Sequence, residues 1–172
     1  IMHKIELASI NDIPQLSQFA TKTYSDTFQH YNLKDLEIHL EKTCSESYFR
    51  GQINNPENKT IIIKANKFII AYAKFGKLEL PVNNPILPSI ELHRLYVDTT
   101  KKHNGIGTKI INYIVEKTIK EKIHCIYLGV YSDNKSAIKF YEKHGFQKIG
   151  EYNYPVGLHI DLEHIMQKKL YY

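Results

Sequence analysis

Residues 92–108, LHRLYVDTTKKHNGIGT, constrain this chain more than any other stretch. A strand-like run ends in a short polar segment, and Gly105 and Gly107 stand where a long helical pattern begins. The first backbone N–H groups of such a helix have no intrahelical partner and lie at the positive end of its dipole. Glycine lets a ligand approach that backbone closely, so the turn suits an anion such as phosphate or pyrophosphate. Lys101, Lys102, His103 and Lys109 add positive charge around it. Neither GxxxxGK[ST] nor a GxGxxG after an early strand occurs, which excludes the two commonest nucleotide loops. Taken alone, Asn104-Gly105 is equally a tight turn and Gly107 a tolerated helix glycine.

The flanking pattern places this turn within one domain. Residues 3–7 alternate as a first strand, and Ser9 with Asp12 makes a capping-box pattern, with Pro14 in the first turn. Ile13, Leu16, Phe19, Ala20 and Tyr24 then recur at helical spacing to about Phe28. Asn32 is placed to cap a second helix with Leu33, Leu36 and Leu40 on one face, and a shorter helix over 47–53 ends at Asn54-Asn55-Pro56. Runs 60–64 and 68–75 flank Ala65-Asn66-Lys67 at hairpin spacing. Residues 76–89 hold three prolines and no periodicity, which predicts a loop. A strand over 90–97 follows, and then a helix over 105–121 with Ile106, Ile110, Ile111, Ile114 and Val115 on one face. Residues 125–130 read as a buried strand, 134–144 as a helix stopped by Gly145, and 147–154 and 160–170 as two closing strands. Ile1 ahead of Met2 is read as an addition outside the fold, which leaves a single domain over 2–172. This order predicts an α/β (α+β) fold, a mixed sheet with helices on both faces.

Composition narrows the function classes. Hydrophobic residues make up 42% of the 172, enough to bury a core without disulfides or metals. Cys44 and Cys125 lie far apart and lack ligand spacing, so reduced thiols and no metal site are expected. His3, His30, His39, His124 and His164 have no ligand-like neighbour in sequence and read as surface or packing residues. No apolar run approaches the roughly 18 residues of a membrane span, and no leader pattern opens the chain. A cytoplasmic protein without membrane contact is expected. The net charge of +5 suits an anionic partner, but the lysines are spread along the whole chain. Composition therefore allows nucleic-acid binding without indicating it.

A second motif makes the reading specific. Lys102-x-x-Gly105-x-Gly107 after Leu95-Tyr96-Val97 resembles the acetyl-CoA motif [Q/R]xxGx[G/A] of the GNAT superfamily, with Lys in place of Gln or Arg. Residues 126–150, IYLGVYSDNKSAIKFYEKHGFQKIG, are similar to that superfamily's strand–Asn–helix–Tyr–GF signature, through Asn134, Ala137, Phe140-Tyr141 and Gly145-Phe146. The resemblance implies a twisted, mostly antiparallel mixed sheet and an acetyl-CoA-dependent N-acetyltransferase working by direct attack of an amine. It implies a cofactor site of Leu95, Tyr96, Val97, Lys102, His103, Asn104, Gly105, Ile106, Gly107, Thr108, Asn134, Ala137, Tyr141 and Lys143. Within the superfamily, the segments 23–28, 92–97, 128–130 and 161–170, with Val156-Gly157, look like bacterial PaiA-type polyamine N-acetyltransferases. The expected acceptor is then a primary amine such as spermidine or spermine. A protein α- or ε-amine and a non-enzymatic nucleic-acid-binding role are the alternatives. Many proteins of this fold pair, and by that analogy the resemblance admits a homodimer.

The same resemblance suggests roles. Tyr141 matches a general acid near the coenzyme sulfur, and Glu91 or His93, on the strand before the turn, matches the position of a base. Alternation puts Glu91 and His93 on one face with Leu95 and Val97. Asn134 either holds the pantetheine arm or caps its helix. Tyr24, Phe28 and Tyr31, with Asp26, Asp35, Glu37 and Glu41, are the candidates for holding a polyamine through aromatic faces and carboxylates.

Overall fold

The computed structural model describes residues 3–170, so both ends of the 2–172 domain lie outside the described residues. Its elements are β1 (Ile5–Leu7), α1 (Ile13–Thr27), α2 (Leu33–Cys44), α3 (Glu46–Asn54), β2 (Asn58–Ala65), β3 (Phe68–Gly76), β4 (Ser89–Val97), α4 (Ile106–Lys120), β5 (Cys125–Tyr131), α5 (Lys135–Lys143), β6 (Gln147–Val156) and β7 (His159–Lys169). The strands form a seven-stranded sheet in the order β1-β2-β3-β4-β5-β7-β6. All neighbours are antiparallel except β4 and β5, which run parallel.

Alternation along the strands builds two cores. In the Ile61–Ile63 run, Ile61 and Ile63 enter one cluster and Ile62 the other, because successive strand side chains point to opposite faces. The first cluster is covered by α4, whose Ile106, Ile110, Ile111 and Ile114 fall at helical spacing. The second is covered by α1 through Ile13, Leu16 and Ala20, and by Phe49 of α3. Each buried Ile, Leu or Phe among them contributes about 1.5–3 kcal/mol. The Ser9–Asp12 capping box forms as expected, with Ser9 N donating to Asp12 Oδ2 at 2.8 Å, and it starts the turn that leads into α1.

Two expectations fail for physical reasons. Leu33 is exposed, and the buried stripe of α2 is Asp35, His39 and Cys44, with Leu36 and Leu40 only partly covered. Asp35 is buried because it anchors the β6–β7 turn, where its Oδ1 accepts from Leu158 N at 2.9 Å. Gly157 leaves room for it, since a Cβ there would lie 2.2 Å from that oxygen.

The second failure lies in β4. Lys74 pairs with Arg94 and Phe75 with Leu92, so His93 is the extra residue of a β-bulge. Side-chain parity flips there. Ile90 and Leu92 before the bulge pack into the same cluster as Leu95 and Val97 after it. Glu91 therefore faces away from Leu95 and Val97, toward the side that holds Tyr96.

Candidate active site

β4 and β5 stay in register for only three pairs, ending at Glu91↔Tyr127. Beyond that point the bulge turns β4 away, and a cavity of about 390 Å³ opens between the two strands. α1, α2, α3, α5, β3, β6, β7 and the loops at 28–31 and 77–88 supply its remaining walls.

The anion-binding turn lies outside this cavity, at the start of α4. Gly105 caps the helix at φ +76°, and a Cβ there would meet nothing within 4 Å. The first intrahelical bond runs from Lys109 N to Gly105 O, which leaves the amides of Ile106, Gly107 and Thr108 for another acceptor. Lys102, His103 and Asn104 are exposed beside them, whereas Ile106 points into the core. This cradle fits a pyrophosphate. Gly107 also lets α5 pack on α4, since a Cβ there would lie 3.1 Å from the Phe140 ring. Thr108 Oγ1 is 3.1 Å from His144 Nε2, which ties the start of α4 to the end of α5. Lys109 is not a rim charge, because its ammonium donates to the His3 carbonyl. Lys143 stands exposed in the last turn of α5, outside the cavity.

Inside the cavity, α5 contributes Asn134, Ala137 and Tyr141. Asn134 Oδ1 accepts from Ala137 N at 3.2 Å, which caps the helix. Burial holds the Tyr141 phenol well above its ordinary pKa, so the group is a protonated donor at neutral pH. Leu95 and Tyr96 reach the cavity while Val97 does not, and the Tyr96 ring stacks on Tyr72 at 5.6 Å in the opposite core.

Tyr24, Phe28 and Tyr31 form an aromatic wall, with ring centroids 4.5 Å apart for Tyr24–Phe28 and 6.1 Å for Phe28–Tyr31. The carboxylates expected from the first helices are absent from the lining. Asp26 pairs with Lys22 at 2.5 Å, Asp35 holds the β6–β7 turn, and Glu37 and Glu41 face solvent. Glu79, Glu91 and Glu163 line the cavity instead. At its other side sit two cations gathered on Tyr48: Lys74 Nζ donates to the phenol at 2.9 Å, and the Arg94 guanidinium lies 4.6 Å from the ring centroid.

Glu91 and His93 are neighbours in this cavity, with His93 Nδ1 3.4 Å from Glu91 Oε1. The other Glu91 oxygen accepts from Glu79 N at 2.8 Å and Leu80 N at 3.0 Å, so this carboxylate pins the 77–88 loop. His93 Nε2 is buried and has no hydrogen-bond partner among the described residues.

Glu163 and Tyr152 were not singled out from sequence. They stand opposite one another on β7 and β6, and Tyr152 donates to Glu163 Oε2 at 2.5 Å. Gly129 of β5 makes the space for them, since a Cβ there would lie 2.6 Å from the Tyr152 oxygen and 2.8 Å from Glu163 Oε2. Burial pushes the Glu163 carboxyl up to about 7; the Tyr152 hydrogen bond opposes the shift, and the Asp161 and Glu91 charges add to it.

Nearby, Asp161 is clamped from both sides of the chain. His30 Nε2 lies 3.0 Å and His159 Nε2 2.9 Å from its Oδ1, and Tyr31 donates to Oδ2. The α1–α2 loop is thereby fixed to β7, which gives His30 a partner that sequence spacing hid.

A split parallel pair, an open anion cradle and a protonated phenol lining the cavity fit an acyltransferase whose donor carries a pyrophosphate. The chain belongs to the acetyltransferase (GNAT) family, whose model matches residues 14–146. It is 26% identical over 169 residues, 97% of each chain, to an uncharacterized N-acetyltransferase in the pepI 3' region of Lactobacillus delbrueckii subsp. lactis. In fold it is similar to the PaiA N-acetyltransferase of Thermoplasma acidophilum in complex with coenzyme A, with TM-score 0.80, 21% identity and coverage of 99% and 100% of the two chains. It is also similar to the ribosomal-protein-S18-alanine N-acetyltransferase of Escherichia coli, with TM-score 0.70, 18% identity and the same coverage. The protein is thus an N-acetyltransferase, and acetyl-CoA is its acyl donor. Among the described residues, no helix is long and apolar enough to cross a membrane.

Proposed function

We propose that the chain, acting as one catalytic domain, acetylates a primary amine of a small molecule, with polyamines such as spermidine or spermine as the acceptor class. The observation that carries this reading is the acceptor end itself, where Tyr24, Phe28 and Tyr31 face Glu91 and Glu163 across one cavity. Aromatic faces and carboxylates attract an ammonium, whereas Lys74 and Arg94 at the other side repel it. A cationic acceptor is thereby turned with its amine toward β7. The segment likeness to PaiA-type enzymes supports the same class, as does the fold shared with a PaiA N-acetyltransferase.

In this reading the amides of Ile106, Gly107 and Thr108 bind the donor's pyrophosphate, and Lys102 and Lys143 lie near its phosphates. Asn134 and Ala137 border the pantetheine arm. Tyr141 gives a proton to the departing sulfur. The thioester supplies an activated acetyl carbonyl when bound. A protein α- or ε-amine is the second reading, and the likeness to a ribosomal-protein-alanine acetyltransferase favours it. Release of free thiol from acetyl-CoA, measured across a panel of polyamines, monoamines and peptides, separates the two. Turnover of spermidine or spermine with a kcat/KM at least tenfold above every peptide is expected. Activity on peptides alone overturns the small-amine reading and leaves the acetyltransferase standing.

A further inference from the structure

We infer that Glu163, set by Tyr152 and given room by Gly129, is the residue that removes the proton from the acceptor ammonium. This deepens the small-amine reading and rests on it.

Three observations carry the assignment. First, Glu163 is free to act. Among the described residues the only hydrogen bond to its carboxylate comes from Tyr152, whereas Glu91 receives two loop amides and lies against His93. The Glu91 carboxylate is thereby committed to holding the 77–88 loop in place. Second, its place is built. Glu163 lies opposite both Tyr131 on β5 and Tyr152 on β6, and the glycine beneath it is the residue whose Cβ the pair would not tolerate. Third, it lines the cavity from β7, with β4 and β5 between it and Lys74 of β3 in the sheet.

The proton balance is simple. The Glu163 carboxylate takes one proton from R–NH3+, giving R–NH2 and a neutral carboxyl. The nitrogen lone pair then forms the C–N bond to the acetyl carbonyl carbon as the C–S bond breaks. Tyr141 gives its proton to the sulfur and is restored by the second proton that the nitrogen sheds. Glu163 releases its own proton to water before the next turnover. The sum is R–NH3+ plus thioester giving amide, thiol and one proton.

A carboxyl pushed up to about 7 is half ionised at neutral pH, which is where a base works best. The groups that set its titration are Glu91 on β4, Tyr152 on β6 and Asp161 on β7, with His93, Glu79 and Arg94 in the same cavity. The acidic limb of kcat/KM should therefore fall as pH drops through about 7, as the carboxylate is protonated.

The experiment measures pH profiles of kcat/KM, using an amine that the wild-type enzyme turns over, for the wild type, Glu163→Gln, Tyr152→Phe and His93→Ala. Acetyl-CoA affinity is measured alongside, to show that each variant folds. Glu163→Gln is expected to lose about 10²–10⁴-fold near pH 7. The defect should shrink at alkaline pH and with weakly basic amines such as trifluoroethylamine, which arrive already neutral. Tyr152→Phe removes the hydrogen bond that favours the carboxylate, so its acidic limb should move to higher pH. A Glu163→Gln variant that binds acetyl-CoA and keeps the wild-type profile overturns the inference. So does loss of the acidic limb in His93→Ala with Glu163→Gln unaffected, which transfers the role to the imidazole. Failure of the wild type to acetylate any amine would instead overturn the small-amine reading.

Discussion

At the scale of single residues, the site separates groups that hold from groups that act. Tyr141 contributes a phenol kept protonated by burial, and its ring packs at 5.7 Å from Phe146, so Phe in its place preserves the packing. Tyr141→Phe should keep acetyl-CoA affinity and lower kcat by about 10²–10⁴-fold, read from single-turnover and steady-state rates. A rate near wild type across pH assigns Tyr141 to packing alone. The sequence made Tyr141 legible because the Asn134-to-Tyr141 spacing, about two helical turns, is local. Glu163 and Tyr152 were invisible for the opposite reason. They meet across the β6–β7 hairpin, and they reach Gly129 and the cavity only because β7 pairs with β5, a strand order that no periodicity encodes. Asp35 was misplaced as a substrate contact because its partner, Leu158 N, lies 123 residues away.

At the scale of elements, helices and hairpins followed their local patterns closely. The α4 isoleucines, the β2–β3 hairpin and the capping box before α1 are all local signals, and all form. β4 was legible as a strand but not in its facing, because a bulge is set by the partner strand and not by its own residues. The two glycines of the cofactor turn also divide at this scale. Gly105 sits at φ +76° with open space beside it, so Gly105→Val distorts the cradle without striking the core. It should raise the coenzyme A dissociation constant by about tenfold or more, a loss of roughly 1.4 kcal/mol, with a fall of a few degrees in melting temperature from the left-handed strain that Val takes on. Isothermal titration of coenzyme A checks this, and unchanged affinity in a folded variant removes the turn from the pyrophosphate site.

At the scale of the whole molecule, β4 and β5 join the two halves of the sheet through three residue pairs and then separate. Each strand therefore carries an edge inside the protein, with backbone N–H and C=O groups that border the cavity and pair with no other strand. Edges of this kind ordinarily attract a further strand. A ligand that is extended and itself carries amides would suit such edges, and the pantetheine arm of coenzyme A answers that description. If coenzyme A binds along these edges, it would act as a removable eighth strand, and acyl binding and completion of the sheet would be the same event. Hydrogen exchange reads this directly. Coenzyme A should slow exchange at amides on the facing edges beyond Glu91 and Tyr127, and leave the β1–β2 ladder as it was. Protection spread evenly over all strands would mean that the donor stiffens the fold without pairing to it. A sheet completed and opened once per catalytic cycle also ties turnover to mechanics: the product can leave no faster than its own strand can be peeled away.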